Sequence, residues 1–202
     1  MTATRTDRLN AYLWPHGDLP TTPQVYALLD GARDRRIEPM VRLSGLEYAC
    51  LYGGRLSPAL ERVAPYLVHL TPGVSFTREL FSMGWGSSWG ILTIVPPDCT
   101  MQQQRRHFRS LLRVQSEDGQ VLAFRFYDPR VLRAYLPTCT RDEVAQVFGP
   151  IPRIALESAD GEELLMCSHG EAGMRMDALP LPSLPPEPRR AHDALSGDLS
   201  DV

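Results

Sequence analysis

The sequence predicts an α/β fold: a mixed, mainly parallel sheet flanked by helices, with a C-terminal hairpin and helical part and a flexible tail. Three observations lead there. Strand-length apolar runs alternate with helix-length segments from Gln24 onward. Several of those runs, "VYALLD", "APYLVHL" and "GILTIV", are apolar at odd and even positions alike. Such runs imply strands buried on both faces, the pattern of a parallel sheet between helices. Hairpin signals then cluster toward the C-terminus, which adds an antiparallel part.

The elements follow in order. "PQVYALLDGA" reads as a buried strand ending at Asp30 and Gly31. A helical segment from Arg33 to Leu43 is expected to break near Pro39. "EYACLY", Glu47 to Tyr52, is a second strand. In "SPALERV", Ser57 is placed to cap a helix and Pro58 to occupy its first position. Ala64 to Leu70 is a third strand, with Pro65 tolerated only at its start. "SFTRELFSM" is helical, "GILTIVPP" is a strand, and "TMQQQRRHFRSLLRV" is a strongly amphipathic helix.

A hairpin then turns at Glu117-Asp118-Gly119. Its second arm, "VLAFRFYD", places Leu122, Phe124 and Phe126 on one face and Arg125 and Tyr127 on the other. Asp128 caps the next helix, Pro129 opens it and Pro137 stops it; Val131, Leu132, Tyr135 and Leu136 form its apolar stripe. Thr140 and Glu143 make a capping box for a last helix, which Gly149-Pro150 ends. "RIALESADGEELLMCS" is a strand couple. Residues 1–23 form a lead segment, 24–176 the α/β domain, and 177–202 a proline-rich, polar tail, flexible or ordered by a partner.

Bulk composition narrows the function. The 202 residues carry a net charge of −3 and include no lysine; all 21 basic residues are arginine. This balance does not suit nucleic-acid binding, and any anion contact must be made by guanidinium. The cysteines, Cys50, Cys99, Cys139 and Cys167, are far apart and show no metal-ligand spacing. The expectation is a cytoplasmic protein with no metal, no cofactor and no membrane insertion. Neither a phosphate-binding loop nor a dinucleotide fingerprint is present.

Two stretches resemble catalytic signatures. Gly86-Ser87-Ser88-Trp89-Gly90 fits G-x-S-x-G, which would make Ser88 the nucleophile of an α/β serine hydrolase. That elbow needs a strand before the serine and a helix after it, whereas here the order is reversed. His107, His169 and His192 lack the setting of a catalytic base. The preferred reading is a turn: Gly84, Gly86 and Gly90 let the backbone bend between helix and strand. Trp85 is expected to be buried there and Trp89 partly exposed. Cys167 beside His169 is the second catalytic candidate, read instead as a loop end. Arg105, Arg106, Arg109 and Arg113 recur at helical spacing and make a basic stripe, which reads first as a solvated helix face and otherwise as a dock for an acidic partner or phosphates.

"FRFYDPRVLRAYL", Phe124 to Leu136, is the most specific stretch. An arginine among aromatics must be paired or lie in a groove. Arg125 is expected to bridge Asp30 or Asp128, with Arg130 placed to reach outward.

The ordered set "YALLDGAR", "YACLY", "APYLVHL", "GWG", "HFRSLLRV", "FRFYDPRVLRAYLP" and "VFGPI" resembles the type VI secretion effector adaptors, also called Tap or effector chaperones. The resemblance covers Gln24 to Pro152. It implies a non-enzymatic cytoplasmic protein that binds one toxic effector and helps load it onto the tip spike protein VgrG. Partner contacts are expected at Trp85, Trp89, Arg125, Tyr127, Arg130 and Arg133, residue types favoured at binding hot spots. Asp30, Pro65, Tyr66, Gly86, Asp128 and Pro129 are expected to be its structural signature.

Overall fold

Seven strands form one sheet in the computed structural model, which describes residues 3–15, 17, 22–115, 118–170 and 173–182. The strands are β1 (Gln24–Asp30), β2 (Tyr48–Cys50), β3 (Pro65–His69), β4 (Gly90–Val95), β7 (Arg153–Glu157), β8 (Glu163–Gly170) and β9 (Gly173–Pro180). Their spatial order is β2-β3-β1-β4-β7-β8-β9. Between β4 and β7, a separate two-stranded sheet pairs β5 (Arg113–Gln115) with β6 (Val121–Ala123). The helices are α1 (Arg5–Leu13), α2 (Ile37–Leu43), α3 (Pro58–Arg62), α4 (Ser75–Glu79), α5 (Met101–Leu111), α6 (Pro129–Tyr135) and α7 (Arg141–Phe148).

Every neighbouring pair in the large sheet is antiparallel, so the expected mainly parallel sheet is wrong. The apolar runs were correctly read as burial on both faces. Burial on both faces does not fix strand direction, however. Along β1, Val25, Ala27 and Leu29 belong to one core, with residues of α1, α2 and α4. Tyr26 and Leu28 belong to a second core, with residues of α5, α6 and α7. Helices therefore cover both faces of an antiparallel sheet, and its central strands look like those of a parallel one. Leu28 is the pivot, opposite Leu67 of β3 and Ile91 of β4.

Local departures have local causes. Pro39 does not break α2, because it falls in the first turn, where its missing N–H is not needed. The π turn at Leu80–Gly84 extends α4 toward the "GWGSSWG" bend. The second hairpin arm is strand only as far as Ala123. Beyond it, Asp128 N–H donates to the Arg125 carbonyl at 3.0 Å, closing a turn that drives Phe126 and Tyr127 into the second core. Leu122 and Phe126 thus never share a strand face: Leu122 is exposed and Phe126 is buried.

Both ends of the described chain join the body. A Thr4–Asp7 capping box starts α1, which buries Leu9 and Leu13. Tyr12 Oη donates to the Pro180 carbonyl at 3.0 Å, and Arg5 Nε to that of Pro182 at 3.2 Å. The segment expected as a tail from Asp177 begins inside β9, where Asp177 pairs with Met166 and Pro180 with Glu163. Residues 183–202 of that tail lie outside the described residues.

Candidate functional site

Asp30 ends β1, and its side chain is fully buried. One carboxylate oxygen accepts the Ala32 N–H at 3.0 Å, and the other is ion-paired with the Arg125 guanidinium. Between Arg125 and α6, Asp128 accepts from the Arg130 N–H at 3.0 Å and from its guanidinium at 3.0 and 2.6 Å. Burial pushes the Asp128 carboxyl up, but the Arg130 hydrogen bonds outweigh it and hold the group below its usual value. Tyr127 is buried, which raises its phenol strongly. This corner binds the α5–α6 connection to the end of β1.

The "GWGSSWG" bend encloses a different carboxylate. Glu157, at the end of β7, is 5% exposed. Gly86 N–H donates to it at 2.6 Å, Ser88 N–H at 2.9 Å and Ser88 Oγ at 3.2 Å. Two backbone amides aimed at one carboxylate make a small anion nest. Gly86 has φ +82° and Ser88 φ +57°, a left-handed conformation uncommon for serine. Gly90 is needed for contact: a Cβ there would lie 2.1 Å from the Leu28 carbonyl oxygen. Ser88 therefore spends its hydroxyl on Glu157, and its position before β4 is not that of a nucleophile elbow.

Cys167 and His169 both lie within β8 rather than at a loop end. The Cys167 thiol is fully buried and is pushed up to about 12, so it is not a ready thiolate. His169 packs against Phe148. Among the described residues, no group of three or more His, Cys, Asp or Glu could hold a metal ion. Among them, no helix is long and apolar enough to cross a membrane.

The six expected partner residues are scattered. Trp89 is 3% exposed and belongs to the first core, with the Arg36 guanidinium over its ring. Trp85 is half-buried and donates from Nε1 to the Gly161 carbonyl at 3.0 Å. The expected order of the two tryptophans is thus reversed: the chain enters β4 at Gly90, which carries Trp89 under the sheet. Arg133 donates to the Glu157 carbonyl at 2.7 Å. The side chains of Arg125 and Arg130 are about half exposed. Pro65 and Tyr66 begin β3, and Tyr66 Oη donates to the Glu61 carbonyl at 2.6 Å.

Arg125 also opens onto a groove of about 1130 Å³ between the β5–β6 hairpin, the end of α5 and the β2–α3 segment. Its walls include Leu60, Val63, Val121 and Leu122, which are 49%, 41%, 67% and 47% exposed. Arg109 and Arg113 of the basic stripe line it too, whereas Arg105 is spent on the Cys50 and Tyr52 carbonyls. Sequence reasoning missed Glu157 and these four aliphatic residues. A carboxylate closing the apolar run "RIALE" was the available signal for the first. The aliphatic residues carried none, since exposure is a tertiary property.

The chain is thus an antiparallel sheet covered by helices on both faces, with an exposed apolar groove lined in part by arginine. Residues 25–146 match the model of the domain of unknown function DUF4123, and the chain belongs to that family. Neither a curated protein nor a solved structure matches it.

Proposed function

We propose that this chain is a non-catalytic cytoplasmic adaptor that binds one type VI secretion effector and helps load it onto the VgrG spike protein. The observation that carries the reading is the groove, lined by four aliphatic residues at least 41% exposed and by Arg109 and Arg113, which among the described residues have no carboxylate within salt-bridge distance. Clustered exposed apolar residues of this kind mark a partner site. The DUF4123 match coincides with the ordered motifs, "YALLDGAR" through "FRFYDPRVLRAYLP", that resemble the adaptors. The bonds from Ser88 to Glu157 support a structural role for that serine.

The test is co-purification with the product of the toxin gene adjacent to this one, followed by deletion. A stoichiometric complex is expected, with loss of that effector alone from the secreted fraction and with the secretion machine still assembled. Equal loss of a second effector from the same machine would defeat the reading.

A further inference from the structure

Resting on the adaptor reading, we infer that the groove between the β5–β6 hairpin and α3 is the effector-binding surface, and that it takes an effector segment carrying aliphatic side chains flanked by carboxylates. The aliphatic part follows from Leu60, Val63, Val121 and Leu122, which line the groove, are exposed and gain from being covered. All six residues of β5 and β6 are exposed.

The acidic part follows from charge. Arg109, Arg113 and Arg125 line the groove, and Asp30 is the one carboxylate among its described lining residues. Asp30 is already paired with Arg125. Among the described residues, neither Arg109 nor Arg113 has a carboxylate partner within salt-bridge distance. Among the described residues, the groove lining therefore carries three guanidinium groups against one carboxylate, on a chain whose net charge is −3. Placement here, against the overall sign, favours a local acidic complement and disfavours another copy of the same groove. Arg109 packs closely over Gly53, where a Cβ would lie 2.4 Å from its Nη2.

The experiment measures binding of the full chain to the effector encoded beside it, with Leu122→Asp and Arg113→Glu as variants. Both positions are exposed, so both proteins are expected to fold, and circular dichroism checks this. Each variant should weaken the complex about tenfold or more. Wild-type affinity should fall as salt rises from ~0.1 M to ~1 M, as the Debye length shortens. A peptide array of the effector should then return an acidic, aliphatic segment that competes with the whole effector. Undiminished binding by both folded variants would overturn this inference while leaving the adaptor reading intact. If wild-type protein captures no effector, both fall. A wild-type dimer abolished by Leu122→Asp would assign the groove to a second copy and overturn the effector assignment. Loss of VgrG binding alone would assign it to the spike, with the same consequence.

Discussion

Arg125 and Asp30, 95 residues apart, form an ion pair in which the Asp30 side chain is buried and the Arg125 side chain is 45% exposed. The asymmetry decides what each substitution does. Arg125→Ala strands a buried carboxylate whose remaining described donor is the Ala32 N–H. Removing one partner of a fully buried pair costs ~3–5 kcal/mol, and solvent around Arg125 reduces this, so about 2 kcal/mol is expected. Urea denaturation measures it. An Arg125→Ala protein as stable as wild type would show that the pair does not hold the corner.

Asp128 and Glu157 should give acid dependences of opposite sign. The Arg130 hydrogen bonds hold the folded Asp128 carboxyl below its ordinary 3.8 despite burial. Its contribution is therefore present above that value and is lost as pH falls through the lower folded value. Burial raises the folded Glu157 carboxyl above 4.5, despite the Gly86 and Ser88 donors. The native state then binds that proton more tightly than the unfolded chain does, so stability falls as pH rises through the window starting at 4.5. Asp128→Asn should flatten the low-pH loss, and Glu157→Gln should remove the decline on the upper side. Urea midpoints from about pH 2 to about pH 7 separate the two. Identical profiles for the two variants would contradict the assignment.

The cradle around Glu157 predicts how Ser88 behaves. Ser88→Ala removes one hydroxyl donor and keeps both backbone donors, so it should cost ~1 kcal/mol and leave partner binding intact. Glu157→Ala leaves the Gly86 and Ser88 amides without their acceptor and should cost more, ~1–3 kcal/mol. Gly86→Val forces a β-branched residue to φ +82° and should be worse than Ser88→Ala. A Ser88→Ala protein that folds normally yet loses all biological activity would restore the hydrolase reading.

Much of the element order was legible because local chemistry wrote it. Ser57-Pro58, Asp128-Pro129 and Thr140-Glu143 are capping signals, and each opens a helix. The Arg125–Asp30 pairing was one of two bridges that a mid-chain arginine among aromatics allowed. Strand direction was not legible. Leu28, Leu67 and Ile91 are apolar because a second core covers them, and they would be so in either orientation. The α1 helix was also overlooked: its apolar residues Leu9 and Leu13 are few, and only the Thr4–Asp7 box marks its start. Nor could the groove be read, since it joins Leu60 to Leu122 across separate elements.

The two tryptophans beside Ser88 should now behave in the opposite sense to their sequence reading. Trp89 packs in the first core, and Gly84 lies so close to its ring that a Cβ there would meet it at 2.8 Å. Trp89→Ala leaves a large void that the sheet cannot collapse into, for a cost of ~3–5 kcal/mol. Trp85 is half-buried and gives its indole N–H to Gly161, so Trp85→Ala loses one hydrogen bond and part of an apolar contact. The expected cost is ~1–3 kcal/mol, which leaves a folded protein. Neither ring lines the groove, so effector capture by folded Trp85→Ala should match wild type. Thermal denaturation and effector pull-down on the two variants check both statements. A folded Trp85→Ala protein that no longer captures the effector would place the contact at the "GWGSSWG" bend, away from the hairpin groove.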